Sequence, residues 1–353
     1  MLVTELMPEA ANYAEYTEQD LKFAVIGFGK MGILHSGILN MLKPDCVRGV
    51  VDRSRFLVFG ASRFIKSIRF YRDIGKMLDR ENPQVVYVTT PTESHYDIAC
   101  MLAEAEVKHI FLEKPPAVNF SEHVALTHRI NSDQTVMVGL QKRFALPFRH
   151  AKMLLSEGVI GNVEEVSAYI KSSDIMAHTA RYDSIGRGVL LDLGIHLIDL
   201  LEWIFGIDGV ETSSYKSIFT NVDDYFEASL EAKGGANVDL EASWCDAMHR
   251  LPETCIQIRA SQGVLNVTED CVIVNSMEKH PLLSNDTRLV MYKPHYYQSI
   301  PPVNLADPEY TLENIHLMHS IHSHTEPLTS LRNVTKTMEI LDQIYRKAGV
   351  QNG

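Results

Sequence analysis

The chain has 353 residues, of which 45% are hydrophobic and 22% charged. At roughly 100–200 residues per domain, this length predicts two domains, each able to bury a core without a disulfide or metal staple. Lys+Arg 33 against Asp+Glu 45 gives a net charge of −12, which excludes a nucleic-acid partner, because phosphate recognition needs clustered Lys and Arg. Apolar runs such as Val85 to Val88 are too short to span a membrane, so no membrane partner is expected. Cys46, Cys100, Cys245, Cys255 and Cys271 are scattered without a C-x-x-C pair and predict reduced, buried thiols. Residues 1–20 lack the basic and apolar segments of a secretory leader, so a cytoplasmic protein is expected, with residues 1–21 as a solvated extension or a short added helix.

From Lys22 onward, short β-branched runs alternate with helical stretches. Phe23–Ile26 reads as a buried strand ending in glycines, Cys46–Val51 as a second closing on Asp52, and Val85–Val88 as another after Pro83. His109–Leu112 precedes Glu113, and Thr135–Val138 closes the series. Continuous apolar strands separated by helices predict a parallel sheet covered on both faces, hence a doubly wound Rossmann domain over residues 22–140. A second α/β domain is expected over 141–353. There Phe148–Leu155 reads as a helix, Val163–Tyr169 as a strand, and Gly188–Phe205 as a long helix stopped by Gly206. Val210–Val274 alternates apolar and polar residues with breaks at Gly234-Gly235 and Gly263, the pattern of a large antiparallel sheet with one covered face. Met291–Pro308 is expected to be irregular, and Leu328–Ala348 a final helix.

Three motifs carry chemistry. Gly27-Phe28-Gly29-Lys30-Met31-Gly32 follows a strand and opens a helix, so its glycines allow a tight turn and let backbone N–H groups meet a pyrophosphate at the helix N-terminus. Asp52 lies 20 residues past Gly32 at a strand end, where an acid binds the adenosine ribose hydroxyls. Its charge favours NAD over NADP, while Arg53 beside it keeps NADP open. Glu113-Lys114-Pro115 follows the fourth predicted strand, and a lysine there can stabilise a developing alkoxide; the plainer alternative is a solvated lysine paired with Glu113. Asp192, His196 and Asp199 fall along one helix face, where a histidine beside carboxylates suits a general base or is simply a satisfied core residue. His316, His319, His322 and His324 have metal-like spacing, yet a solvated or oligomer-facing stretch is the preferred reading.

In order and spacing, the glycine fingerprint, Thr90-Pro91 through His95, Glu113-Lys114-Pro115 and the D-x-G-x-H-x-x-D helix resemble the glucose–fructose oxidoreductase/inositol dehydrogenase/MocA (Gfo/Idh/MocA) family. Gly139–Phe144, Gly158–Gly161 and Ser243-Trp244 support the resemblance, which runs from about Lys22 to the last helix and is weakest around Met277–Pro308. It implies an N-terminal Rossmann domain, a C-terminal α/β domain on a large, mainly antiparallel sheet, and a homodimer or homotetramer built on that sheet. It implies an NAD(P)-dependent oxidoreductase acting on a secondary alcohol of a sugar or cyclitol. Lys114, Asp192 and His196 take the catalytic positions, with a cis peptide before Pro115. Cofactor contacts fall to Gly27, Phe28, Gly29, Lys30, Met31, Gly32, Asp52, Arg53, Thr90, Pro91, His95, Glu113 and Lys114. Arg143 and Arg181 join Lys114, Asp192 and His196 at the substrate, and His178, Tyr182, Tyr296 and Tyr297 are further candidates. Arg187, where many relatives are glycine-rich, either reaches an anionic substrate group or lies on the surface. The alternatives are an NAD-dependent glycoside-cleaving enzyme and a non-catalytic nicotinamide-dependent regulator.

Overall fold

Six parallel strands form the first sheet in the order β3-β2-β1-β4-β5-β6. They are β1 (Phe23–Ile26), β2 (Val47–Val51), β3 (Arg69–Tyr71), β4 (Val85–Val88), β5 (His109–Glu113) and β6 (Thr135–Gly139). This is a computed structural model, and it describes residues 5–17, 20–173, 188–297 and 307–350. Every residue of β1 and β4 is buried, as expected of strands covered on both faces. The intervening helices are α1 (Lys30–Leu42), α2 (Arg55–Phe64), α3 (Ile74–Glu81), α4 (His95–Glu104) and α5 (Phe120–Arg129). Their starts are written in side chains: Ser54 accepts from the Leu57 N–H, Asp73 from that of Lys76 and Asn119 from that of Glu122. At α5 Glu122 also reaches back to accept the N–H of Val118, the residue before the cap.

The second sheet has eight strands in the order β14-β13-β12-β11-β7-β10-β9-β8. It comprises β7 (Val163–Lys171), β8 (Ile207–Lys216), β9 (Tyr225–Ala232), β10 (Asn237–Ser243), β11 (Glu253–Ala260), β12 (Gly263–Thr268), β13 (Cys271–His280) and β14 (Asp286–Tyr292). All pairs are antiparallel except β7 with β10. Val166, Ala168 and Ile170 of β7 point to the buried face, while Glu165, Ser167, Gln257 and Arg259 are exposed on the other face of the central strands. Two helices of this unit are α6 (Leu146–Ser156) and α7 (Ile195–Phe205), the latter ending at Gly206 with φ 66°. A left-handed stop of that kind is what glycine supplies.

Three stretches read loosely in the sequence take definite form. β14 replaces the start of the irregular stretch expected from Met291, and Lys293–Tyr297 is a helical turn. Of the two readings of the N-terminus, helix is what forms: Pro8–Ala11 and Tyr13–Thr17 are helical, with Met7, Ala10 and Tyr16 buried and Pro8, Asn12 and Glu15 exposed. The histidine-rich stretch is the helix Glu309–Ser323, which packs with these turns and with α1 in the same unit as the Rossmann sheet, Met7–Gln141 with Ile300–Thr335. The second domain expected over 141–353 had included this stretch. His316 binds Glu9 at 2.9 Å and accepts the Leu328 N–H, while the rings of His319 and His322 pack on Tyr16. Among the described residues no three His, Cys, Asp or Glu side chains converge on a metal position. No described helix is long and apolar enough to cross a membrane. All five cysteines are free, and burial pushes the Cys46 and Cys245 thiols up to about 12, leaving little reactive thiolate.

Candidate active site

The Rossmann unit builds its site on the carboxyl ends of its strands. Gly27 has φ +92°, and a Cβ at Gly32 would lie 2.0 Å from the Gly27 carbonyl oxygen, so both positions demand glycine. Thr89 locks the turn, donating from Oγ1 to Gly27 O at 2.7 Å. Gly29 caps α1 without any side-chain hydrogen bond, and a Cβ there would meet nothing within 4 Å. An uncapped helix N-terminus beneath open space is the donor set that a pyrophosphate needs. Phe28 is buried against Phe70, Lys30 is exposed and Met31 is partly exposed.

Asp52 follows β2. Its Oδ2 accepts the Phe28 N–H at 2.8 Å and its Oδ1 the Ser54 N–H at 2.7 Å, so the carboxylate ties the glycine turn to the start of α2. Each oxygen keeps a second lone pair, which leaves acceptors for ribose hydroxyls. Arg53 is exposed. These residues fit a dinucleotide.

His95, expected at the cofactor, is fully buried, with Nε2 2.8 Å from the Thr90 carbonyl and Nδ1 2.8 Å from that of Pro115. A carbonyl thus faces each ring nitrogen, the neutral ring can donate to one of them, and His95 lies between the Thr90-Pro91 loop and the segment after β5. Burial lowers its pKa, against the pull of the two carbonyls. Glu113 is the last residue of β5 and Lys114, partly buried, is the first beyond it. The Lys114–Pro115 peptide is cis. Glu113, also expected at the cofactor, has both carboxylate oxygens on protein partners: Oε1 faces His35 Nε2 at 3.0 Å and Oε2 accepts the Lys114 N–H at 3.1 Å.

The second unit holds Asp192 and His196. Leu190–Gly194 is a π turn that runs directly into α7, where a uniform α-helix had been expected. Such wide turns recur at functional positions. Its start is held from outside: Asp223 accepts the Gly188 and Leu190 N–H groups through its carboxylate and the Val189 N–H through its carbonyl, and Tyr345 OH accepts that of Leu191. A Cβ at Gly188 would sit 1.9 Å from the Asp223 carbonyl oxygen, which explains that glycine. Asp192 is partly exposed, whereas His196 is 4% exposed.

Asp199 does not serve His196 as the spacing suggested. It accepts from Arg143 Nε at 2.7 Å and Nη2 at 2.6 Å, and from Thr337 Oγ1 at 3.0 Å. Arg143, expected at the substrate, is buried and gives two N–H groups to Asp199, a bond that ties it to α7. Arg143→Ala should therefore lower the unfolding free energy by roughly 3–5 kcal/mol, because it strands a buried carboxylate; urea titration measures this. Tyr296 is buried against His150 and Tyr297 OH accepts the Leu146 N–H, so both tyrosines hold α6. Arg181, with His178, Tyr182 and Arg187, lies outside the described residues. Sequence reasoning missed His35 and Asn314; the signal for His35 was its place on α1, three residues past Gly32.

A glycine turn at the uncapped start of α1, Asp52 fixed beside it and strand-end Lys114 define a Rossmann-type dinucleotide-binding unit joined to an α/β unit. Residues 21–140 match the family described as oxidoreductase, NAD-binding Rossmann fold, and residues 148–266 match the GFO/IDH/MocA C-terminal domain. The chain belongs to the Gfo/Idh/MocA oxidoreductase family. It is 24% identical over 202 residues to a myo-inositol 2-dehydrogenase of Thermotoga maritima, covering 57% of this chain and 60% of that protein. It is 25% identical over 235 residues to the scyllo-inositol 2-dehydrogenase (NAD(+)) of Bacillus subtilis, covering 64% of this chain and 68% of that one. The chain thus spans less than two thirds of the first of these relatives. Levoglucosan dehydrogenase in complex with NADH and levoglucosan has the same fold, with a TM-score of 0.81, 21% identity, and 94% and 97% of the two chains covered.

Proposed function

We propose that this protein is an NAD-dependent dehydrogenase acting on a secondary alcohol of a sugar, cyclitol or sugar derivative. The observation that carries the reading is the glycine turn over the uncapped start of α1, with Asp52 fixed beside it. NAD, when bound, supplies the hydride acceptor, and the protein supplies placement and electrostatics. Lys114, at the end of β5, donates to the substrate oxygen and stabilises the charge that develops on it. His196 takes the hydroxyl proton, and Asp192 orients the substrate or the imidazole. The resemblance also supports self-association through the uncovered face of the eight-stranded sheet.

Absorbance at 340 nm with a panel of myo-inositol, scyllo-inositol, levoglucosan, D-apiose and glucose 6-phosphate tests the reading. Steady reduction of NAD supports it. Release of a chromogenic aglycone without net NADH would replace it with glycoside cleavage, and tight NAD binding without either activity would leave a regulator. Fluorescence titration tests the cofactor: NAD should bind at least about tenfold more tightly than NADP, because the Asp52 carboxylate repels a 2′-phosphate. Asp52→Ala should narrow that gap and also weaken NAD, since Phe28 loses its anchor. A wild-type preference for NADP would shift the role to Arg53.

A further inference from the structure

Beneath Lys114 lies a chain of buried polar groups that crosses the Rossmann unit. His35, on α1, is fully buried, with its ring against both Phe111, at 4.8 Å, and Tyr87, at 5.3 Å between centroids. Its Nε2 faces Glu113 Oε1 at 3.0 Å, and its Nδ1 faces Asn314 Nδ2 at 3.0 Å. Asn314, from the helix Glu309–Ser323, is also fully buried.

The protons on this chain follow from which groups can only accept. The Tyr310 carbonyl lies 2.6 Å from one amide atom of Asn314, which must therefore be the nitrogen. The Tyr87 hydroxyl then donates to Asn314 Oδ1 at 2.8 Å. The second N–H of Asn314 points at His35 Nδ1, which accepts, so the ring proton sits on Nε2 and is donated to Glu113. The other oxygen of Glu113 accepts the Lys114 backbone N–H at 3.1 Å.

We propose that His35 and Asn314 are positioning residues for Lys114: Asn314 fixes the tautomer of His35, and His35 holds the Glu113 carboxylate that fixes the Lys114 backbone. The helix Glu309–Ser323, nearly 200 residues away in the chain, thereby becomes part of the machinery that aims the lysine. Glu313, beside Asn314 and fully buried, does not compete as a charge. Burial, with Glu113 and Glu309 nearby, pushes its carboxyl well above the usual carboxylate range, so it stays neutral and leaves Glu113 to take the donated proton. The inference rests on the reading of Lys114 as the group that meets the substrate oxygen.

The test compares His35→Leu, which removes the donor, with His35→Gln, whose amide nitrogen can restore an N–H near the Nε2 position. Amide hydrogen exchange read residue by residue should show the Lys114 N–H exchanging about tenfold faster or more in His35→Leu, with Ile110 and Phe111 of β5 still protected. NAD affinity by calorimetry should stay within about threefold. On a panel sugar, kcat should fall about tenfold to a hundredfold with KM little changed, since a small misplacement of an aimed group costs that much. His35→Gln should recover most of both effects. Unchanged Lys114 exchange in His35→Leu overturns the proposal, as does a loss of protection that spreads through β5 and is not rescued by Gln. If neither variant folds, the imidazole nitrogen NMR spectrum of the wild-type holoprotein decides, because a His35 proton on Nδ1 contradicts the chain of donors. Exchange and NMR need no substrate, so absence of wild-type turnover would refute the dehydrogenase reading and leave this one still decided.

Discussion

Replacing Lys114 by Met is expected to slow hydride transfer by roughly two to three orders of magnitude while NAD affinity stays within about threefold. The first number follows from deleting one donor aimed at a developing oxyanion in a water-poor site. The second follows from the layout of the Rossmann unit. The glycine turn proposed to hold the pyrophosphate lies at the end of β1 and Asp52, proposed for the ribose, follows β2, whereas Lys114 follows β5. Met keeps the aliphatic stem and removes only the ammonium, and the Lys114 backbone N–H remains available to Glu113. Calorimetry of NAD binding and single-turnover absorbance with a panel sugar should be run side by side. Near wild-type transfer would make Lys114 structural, and loss of NAD binding in step with activity would make it a cofactor anchor. Only the split result supports a catalytic lysine.

What the sequence disclosed divides along a physical line. Strands β1, β4 and β5 were legible because they are apolar on both faces, and the glycine turn was legible because backbone chemistry there admits little else. β3 escaped because a three-residue edge strand, Arg69–Tyr71, buries none of its residues fully. The helix Glu309–Ser323 escaped for the opposite reason. Its buried residues include Glu309, Thr311, Glu313, Asn314 and Ser320, so polar groups interrupt the apolar stripe by which a buried helix is usually found. The same burial of polar groups hid the site's support. His95, Glu113 and Arg143 look like ligand contacts in the sequence, yet each faces protein partners: His95 two carbonyls, Glu113 His35, Arg143 Asp199. Motifs report which residue types a site needs, and only the three-dimensional partners separate those that meet a ligand from those that hold the others still.

His196→Asn is expected to lower turnover by about 10²–10⁴-fold and to abolish the acid limb of the pH profile for alcohol oxidation. Oxidation releases a hydroxyl proton, and only a neutral imidazole can accept it. As pH falls through the imidazole pKa, ordinarily about 6.5, the ring fills with the proton it should receive, and kcat/KM drops about tenfold per pH unit. Ketone reduction needs the protonated ring as donor, so its rate should fall on the alkaline side of the same pKa. That reversal distinguishes a proton-transfer group from a residue that merely holds shape, which would affect both directions alike. Asn keeps a polar side chain at this nearly buried position without a titrating group. The start of the helix should survive the change, because Asp223 and Tyr345 hold its first N–H groups independently of His196. Initial rates in both directions from about pH 5 to 9, for wild type and variant, make the comparison. If the acid limb persists in His196→Asn with its inflection unmoved, the base is another group. Asp192, partly exposed on the π turn four residues before His196, is then the residue to replace next.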